Sequence, residues 1–134
     1  MKTVLVLEDE NGVLKLLRHM LKHYILHEAT GAEQALWCFK ENQQTIGLLI
    51  ADVTLPTSSG IQVALRLRSE APDLPIILTS GYPLSGWSAC DSADLARLGA
   101  DSAIILQKPF QSQLLLNSVR KFIGSPQTEA AKFA

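Results

Sequence analysis

Short apolar runs alternate with longer amphipathic segments along almost the whole chain. The runs at residues 3–7, 25–29, 48–51, 75–80 and 103–107 have the length and the β-branched content of strands. Apolar residues at helical spacing follow each run, and they predict helices that include residues 11–23, 61–71 and 112–123. Continuous apolar strands are typical of parallel sheets buried on both faces. The pattern therefore predicts an α/β protein with five βα units and one doubly wound parallel sheet.

Several polar and special residues predict where the helices begin and end. Thr30 and Glu33 have the spacing of a capping box at the start of the second helix. Pro72 stops the third helix, and Gly99 is expected to cap the fourth helix at its C-terminus. Trp87 lies in the loop before the fourth helix, and we expect it to pack over that helix rather than to anchor a partner.

The composition narrows the class of protein. The chain has 134 residues, 47% of them hydrophobic and 19% charged, with a formal net charge of −1. These values predict one globular domain. The hydrophobic periodicity fades after residue 123, so the domain is predicted over residues 1–123 and residues 124–134 are predicted to form a tail or a helix extension. The near-neutral charge gives no broad basic surface that would suggest a nucleic-acid ligand, and no apolar run is long enough to span a membrane. Cys38 and Cys90 match no metal or redox spacing, so they are expected to be reduced thiols in a cytoplasmic protein.

Chemically capable residues follow four of the predicted strands. Glu8 and Asp9 follow the first strand, Asp52 the third, Ser80 the fourth and Lys108 the fifth. Each has an ordinary explanation alone, such as a helix N-terminus, a turn or a solvated lysine. Because parallel strands end at one edge of a sheet, where open α/β folds bind ligands, we expect the five side chains to converge. Such a set can handle a metal ion or a phosphoryl group.

The order of these segments resembles the receiver domain of bacterial two-component response regulators. The resemblance covers about residues 2–123. The segments that carry it are Glu8-Asp9-Glu10, Asp52-Val-Thr-Leu-Pro56 with Gly60 eight residues after Asp52, Pro75-Ile-Ile-Leu-Thr-Ser80-Gly81, and Lys108-Pro109-Phe110.

The resemblance implies a flavodoxin-like sheet with strand order 2-1-3-4-5 and a role for each matching residue. Asp52 would accept a phosphoryl group from a phosphohistidine. Glu8, Asp9, Asp52 and the backbone carbonyl of Thr54 would surround Mg²⁺. Lys108 and Ser80 would hold phosphoryl oxygens, and the Lys108–Pro109 peptide bond would be cis.

Elementary chemistry agrees with these roles. Neighbouring carboxylates repel one another, so some of them should have raised proton affinities in the absence of a cation. Mg²⁺ prefers oxygen ligands and commonly bridges carboxylates to phosphate. Phosphoryl transfer also needs in-line positioning and neutralisation of the equatorial oxygens, which the cation and Lys108 would supply.

The sequence departs from the family pattern at a few positions. Glu8 stands where Asp is commoner, and Ile105 stands where many members have an aromatic residue that turns inward on activation. The chain between Ser80 and Lys108 is several residues longer than in compact members. Thr54 and Tyr82 lie at positions that in the family flank the attacking water during dephosphorylation.

The leading hypothesis is a phosphorylation-dependent signalling module rather than an enzyme, either standing alone or cut from a longer regulator or hybrid kinase. Its expected partners are a sensor histidine kinase or histidine phosphotransfer protein and a downstream protein target. The face formed by the fourth helix, fifth strand and fifth helix is the expected output surface and a possible homodimer contact. A direct nucleic-acid or membrane partner is not expected.

Three alternative functions require features that can be compared with this sequence. A haloacid-dehalogenase-like phosphatase needs a second Asp where Thr54 stands. A flavodoxin-like flavin module needs a hydroxyl-rich phosphate loop where Glu8 and Asp9 would repel phosphate. A degenerate receiver that binds partners without phosphorylation is disfavoured by the intact acidic set, although Ile105 keeps it open.

Overall fold

Five strands alternate with five helices in the computed structural model, which describes residues 2–56, 58–99 and 102–126. The strands are β1 (Thr3–Leu7), β2 (Leu26–Ala29), β3 (Ile46–Asp52), β4 (Ile76–Ser80) and β5 (Ala103–Gln107). The helices are α1 (Asn11–Met20), α2 (Ala32–Glu41), α3 (Gly60–Glu70), α4 (Ala89–Leu98) and α5 (Ser112–Ile123). A single 3₁₀ turn at Leu84–Gly86 precedes α4 within the described ranges.

The strands form one parallel sheet with the order β2-β1-β3-β4-β5, which confirms the predicted doubly wound, flavodoxin-like architecture. Side chains alternate between its two faces. Leu5 and Leu7 pack with α2, α3 and α4, whereas Val4 and Val6 pack with α1 and α5. Because both faces are covered, β1 and β4 are buried at every position. This burial explains why the sequence showed continuous apolar runs rather than a two-residue alternation.

Two predicted boundaries differ from the structure by two residues or more, and several others differ by one residue. β3 begins at Ile46, two residues before the predicted strand, because Ile46 pairs with Thr3 before a register shift in the ladder. α1 ends at Met20, three residues early, and the chain then turns through a hydrogen bond from the Tyr24 amide to the Leu21 carbonyl. Neither difference moves a site residue.

The capping box predicted from Thr30 and Glu33 is wrong. Gly31, in an extended conformation, takes the position before α2 and offers no side-chain cap. The third helical residue is therefore Gln34 rather than Glu33. The Gln34 side-chain oxygen accepts hydrogen bonds from the Thr30 amide at 2.9 Å and the Thr30 hydroxyl at 3.2 Å.

The other helix ends follow ordinary rules. The Ser59 hydroxyl accepts from the Ile61 amide at the start of α3, and Ser88 accepts from the Asp91 amide at the start of α4. Gly99 ends α4 with a φ of 84°, as predicted. None of the helices in residues 2–56, 58–99 and 102–126 combines the length and apolarity needed to span a bilayer.

Arg68 links α3 to the end of α4 and to Ser102, which directly precedes β5. Its guanidinium donates to the carbonyls of Leu74 and Ser102, both at 2.9 Å, and to the Ser102 hydroxyl at 2.6 Å. It also donates to the carbonyl of Leu98, the last residue of α4. One side chain thus holds the end of α4 and the start of β5 against α3.

α5 ends at Ile123, and Gly124 follows it with a φ of 81°. The predicted boundary at residue 123 coincides with this helix end. Residues 127–134 lie outside the described part of the chain, so the tail or helix extension over 124–134 stays a prediction.

Candidate functional site

Three acidic side chains meet at the carboxyl edge of the sheet. Glu8 and Asp9 follow β1, and Asp52 ends β3, the neighbouring strand. Each of the three offers one carboxylate oxygen, and these oxygens lie within 4.8 Å of one another. Glu8 and Asp52 are 1% and 5% exposed, whereas Asp9 is partly exposed. The strand order therefore assembles a cluster from residues more than forty positions apart in sequence.

Lys108 brings a positive charge into this cluster. Its ammonium nitrogen lies 2.9 Å from Glu8 Oε1 and 3.1 Å from Asp52 Oδ2. The Lys108 amide donates to the Ser80 carbonyl at 2.7 Å, and the Lys108–Pro109 peptide bond is cis, as the resemblance implied. Lys108 therefore reaches across the end of β4 to the acidic residues, which is the position that the sequence predicted.

Backbone amides satisfy the second oxygen of each buried carboxylate. The Thr54 amide donates to Asp52 Oδ1 at 3.1 Å, and the Glu10 amide donates to Glu8 Oε2 at 3.3 Å. Each carboxylate thus accepts one bond from Lys108 and one from the backbone. This arrangement offsets the cost of burying two acids, which would be severe for unpaired groups.

The charges in the cluster shift the proton affinities of Glu8 and Lys108. Burial raises the pKa of Glu8 above its usual value, and repulsion from Asp52 adds to this effect, while the hydrogen bond and charge of Lys108 oppose it. Burial alone would lower the pKa of Lys108, but its hydrogen bonds to Glu8 and Asp52 and their charges outweigh burial and raise it. The cluster thus holds three carboxylates and one ammonium group, which contacts Glu8 and Asp52, and a further cation would relieve the repulsion between the carboxylates.

Gly60 fixes the backbone beneath Asp52. A Cβ atom on Gly60 would lie 2.1 Å from the Asp52 carbonyl oxygen and 3.1 Å from the Ala51 Cβ. The Gly60 amide also donates to the Val53 carbonyl at 3.2 Å. Sequence reasoning placed Gly60 in the family pattern but missed this close approach. A glycine at a helix start shortly after a buried acidic residue is the signal that could have indicated it.

Ser80 is brought to the same edge, but its hydroxyl does not contact a carboxylate. It is 1% exposed, donates to the Tyr82 carbonyl at 2.9 Å and accepts from the Tyr82 amide at 3.0 Å. The structure therefore unites Glu8, Asp9, Asp52 and Lys108, and leaves the hydroxyl of Ser80 bound to its own turn.

An open hollow of about 490 Å³ lies over the cluster. Asp9, Asp52 and Lys108 line it from the sheet edge, and Thr54 and Tyr82 line it from the neighbouring loops. Carboxylate oxygens at this separation, with a solvent-facing side, suit a small hard cation that retains several water ligands. The hollow also leaves room for a phosphoryl group beside Asp52.

Comparison with known proteins identifies the family. The sequence profile of the response regulator receiver domain matches residues 4–120. The chain belongs to this family, which is a signalling family rather than a class of conventional enzymes. Receiver domains act with histidine kinases and downstream effectors, and they typically bind Mg²⁺ in an acidic pocket.

Individual relatives agree with this assignment. The chain is 32% identical over 131 residues to a probable transcriptional regulator, ycf27, of Cyanidium caldarium, covering 96% of this chain and 49% of the relative. It is 27% identical to the response regulator receiver protein CpdR of Brucella abortus, covering 92% and 98% respectively. The crystal structure of a response regulator receiver domain protein from Clostridium thermocellum superposes with a TM-score of 0.77, 25% identity and coverage of 92% and 94%. The chain thus spans about half the length of some curated relatives and nearly all of others.

Proposed function

We propose that this domain is the phosphoacceptor of a two-component phosphorelay and that Asp52 carries the phosphoryl group. The observation that supports this most strongly is the contact of the buried Asp52 carboxylate with Lys108, beside two further carboxylates and under an open hollow. A structural ion pair would need neither the additional acids nor the access from solvent.

In the proposed reaction an Asp52 oxygen attacks the phosphorus of a phosphohistidine. A P–O bond to Asp52 forms as the P–N bond to histidine breaks, and the electron pair of that bond leaves with the imidazole. The Thr54 amide holds Asp52 Oδ1 and so orients the carboxylate. Lys108, now bound to Asp52 Oδ2, would transfer its hydrogen bonds to a phosphoryl oxygen and neutralise part of its charge.

Glu8, Asp9, Asp52 and the Thr54 carbonyl are the proposed ligands of Mg²⁺. When bound there, Mg²⁺ would supply positive charge that neutralises the phosphoryl oxygens during transfer. The fit rests on the oxygen-only donor set and on the excess of carboxylates over ammonium groups in the cluster. The Glu8 side chain is longer than that of the Asp that is commoner at this position. It is buried and contacts Lys108, so its carboxylate reaches the cluster.

The proposed partners are a sensor histidine kinase or phosphotransfer protein upstream and a protein target downstream. The output surface, which could also mediate dimerisation, would be formed by α4, β5 and α5. Thr54 and Tyr82 line the hollow over Asp52, so they are the proposed residues that control access of the water that removes the phosphoryl group.

Phosphorylation can be tested with the purified domain, Mg²⁺ and a small acyl or amido phosphodonor. We expect intact-mass spectrometry to show a gain of one labile phosphoryl group, and the Asp52→Asn variant to show none. No gain in wild type would favour the degenerate receiver, in which Ile105 is one sign of a lost switch. An undiminished gain in the variant would place the acceptor elsewhere.

A further inference from the structure

The Tyr82 backbone carbonyl accepts hydrogen bonds from two donors. The Ser80 hydroxyl donates to it at 2.9 Å, and the Trp87 indole nitrogen donates to it at 3.4 Å. This carbonyl therefore joins a buried residue beside the acidic cluster to an aromatic residue five positions further along the loop.

Trp87 lies at the entrance to α4. It directly precedes Ser88, whose hydroxyl accepts from the Asp91 amide and caps the helix. Its ring is partly buried against the core cluster that contains residues of α3 and α4. This position is consistent with the prediction that Trp87 packs over the fourth helix rather than anchoring a partner. A change in the hydrogen bonding of Trp87 would therefore alter the first turn of α4.

β5 contains no aromatic residue that could couple Ser80 to the surface. Ile105 is partly buried against the same core cluster, and an aliphatic side chain has neither a ring nor a hydrogen-bonding group to exchange between two positions. A coupling from Ser80 to the surface of this chain must therefore use another group. Ser80 bonds to the backbone of Tyr82, and Trp87 is the aromatic residue whose side chain bonds to the same carbonyl.

The Ser80 hydroxyl carries a single proton. It can donate that proton to the Tyr82 carbonyl or to a phosphoryl oxygen on Asp52, but not to both. A hydrogen bond to an ionised oxygen is roughly twice as strong as one to a neutral carbonyl. The Ser80 hydroxyl should therefore donate to the phosphoryl oxygen rather than to the Tyr82 carbonyl. The Tyr82 carbonyl would then be left with the longer bond from Trp87, which does not hold the turn by itself.

We propose that Ser80, the Tyr82 carbonyl and Trp87 form a relay that couples phosphorylation of Asp52 to the start of α4. In the unphosphorylated domain, Ser80 holds the Tyr82 carbonyl in place, and that carbonyl holds Trp87. In the phosphorylated domain, Ser80 turns to the phosphoryl group, the turn at Tyr82 relaxes, and Trp87 and the first turn of α4 are released. The relay rests on the proposed function of Asp52.

Trp87 fluorescence can report the relay directly. The second tryptophan, Trp37, is 65% exposed on α2, and the Trp37→Phe variant leaves Trp87 as the single indole. Phosphorylation of this variant should shift the Trp87 emission to longer wavelength as the indole loses its partner and gains contact with water. Mg²⁺ without phosphodonor provides the control for quenching by the cation.

The dependence on Ser80 distinguishes the relay from a general effect of charge. In the Trp37→Phe background, Ser80→Ala should lose the emission shift and Ser80→Thr should keep it. All variants are compared at equal extent of phosphorylation, measured by intact mass. A full phosphoryl gain with no emission shift, or a shift that persists in Ser80→Ala, would overturn the relay while leaving the phosphoacceptor role intact. Failure of the phosphoryl gain itself would instead count against the proposed function.

A second variant tests the step from Trp87 to α4. Trp87→Phe keeps an aromatic ring for packing and removes the indole N–H. Hydrogen exchange in the first turn of α4 should increase in wild type on phosphorylation. In Trp87→Phe it should already be high before phosphorylation and change little afterwards. If phosphorylation increases exchange equally in the two proteins, Trp87 does not transmit the signal.

Discussion

Replacing Gly60 with alanine would place a methyl group against the backbone of Asp52, the proposed phosphoacceptor. The added Cβ would lie 2.1 Å from the Asp52 carbonyl oxygen, and contacts under 3.0 Å are essentially never observed for real Cβ atoms. The start of α3 and the end of β3 must therefore separate by at least 0.9 Å, the difference between these two distances. The two atoms that the added Cβ would approach within 3.0 Å are the carbonyl oxygen and carbon of Asp52, and backbone atoms cannot yield by a side-chain rotation.

This clash should lower both the free energy of unfolding and the rate of phosphorylation. Overpacking in a buried region typically costs about 1–3 kcal/mol, and because the clash here is with backbone we expect a loss of about 2–3 kcal/mol in the free energy of unfolding. Since Asp52 moves with its carbonyl, the Asp52 carboxylate also shifts relative to Lys108. A misplacement of about 1 Å can reduce a positioned reaction about 100-fold, and we expect a similar loss in phosphorylation rate.

Urea denaturation measures the stability, and the rate of phosphoryl gain by mass spectrometry measures the function. Gly12→Ala is the matched control because a Cβ at Gly12, on the exposed side of α1, meets no atom within 4 Å. It should increase stability by about 0.5–1 kcal/mol through helix propensity and leave phosphorylation unchanged. If Gly60→Ala is as stable and as readily phosphorylated as Gly12→Ala, the close approach beneath Asp52 does not position the acceptor.

Three further predictions concern the charges. Because the pKa of Glu8 is raised in the folded protein, its contribution to stability is fully present below its ordinary pKa of 4.5 and is lost as pH rises through the raised value. In metal-free buffer Glu8→Gln should thus gain stability relative to wild type as the pH rises above the ordinary value of 4.5, and a difference in urea midpoint that stays constant with pH would contradict this. Arg68→Met leaves buried carbonyls without donors and should cost about 3 kcal/mol, whereas Arg66→Met, at an exposed position on the same helix, should cost little; equal midpoints would refute the link. Mg²⁺ at 100 times its dissociation constant should add about 2.7 kcal/mol to wild type and much less to Asp9→Asn, and an equal gain in thermal scans of both would exclude Asp9 as a ligand.

The fold and the location of the cluster could be predicted because their signals are carried by many residues. Continuous apolar strands indicated a sheet buried on both faces, and parallel strands place their ends on one edge. Glu8, Asp52 and Lys108 therefore had to lie near one another wherever the exact boundaries fell. The early end of α1 and the earlier start of β3 left that edge unchanged.

The details that sequence reasoning missed depend on single atoms. The choice between Glu33 and Gln34 at the start of α2 turned on whether Thr30 or Gly31 took the N-cap position, which local propensity did not decide. The second hydrogen bond of the Tyr82 carbonyl depends on how a loop folds back, and no periodicity encodes it. The contact beneath Gly60 arises between elements that pack only in the finished fold.

The central claim is that Asp52, within the acidic cluster, receives the phosphoryl group. Borohydride reduction of the phosphorylated domain converts an acyl phosphate into an alcohol, and peptide mapping by mass spectrometry then identifies the modified position. We predict reduction at residue 52 alone, dependent on both phosphodonor and Mg²⁺. Modification at Glu8 or Asp9, or no reduced residue in a domain that has gained a phosphoryl group, would contradict the proposed phosphoacceptor site.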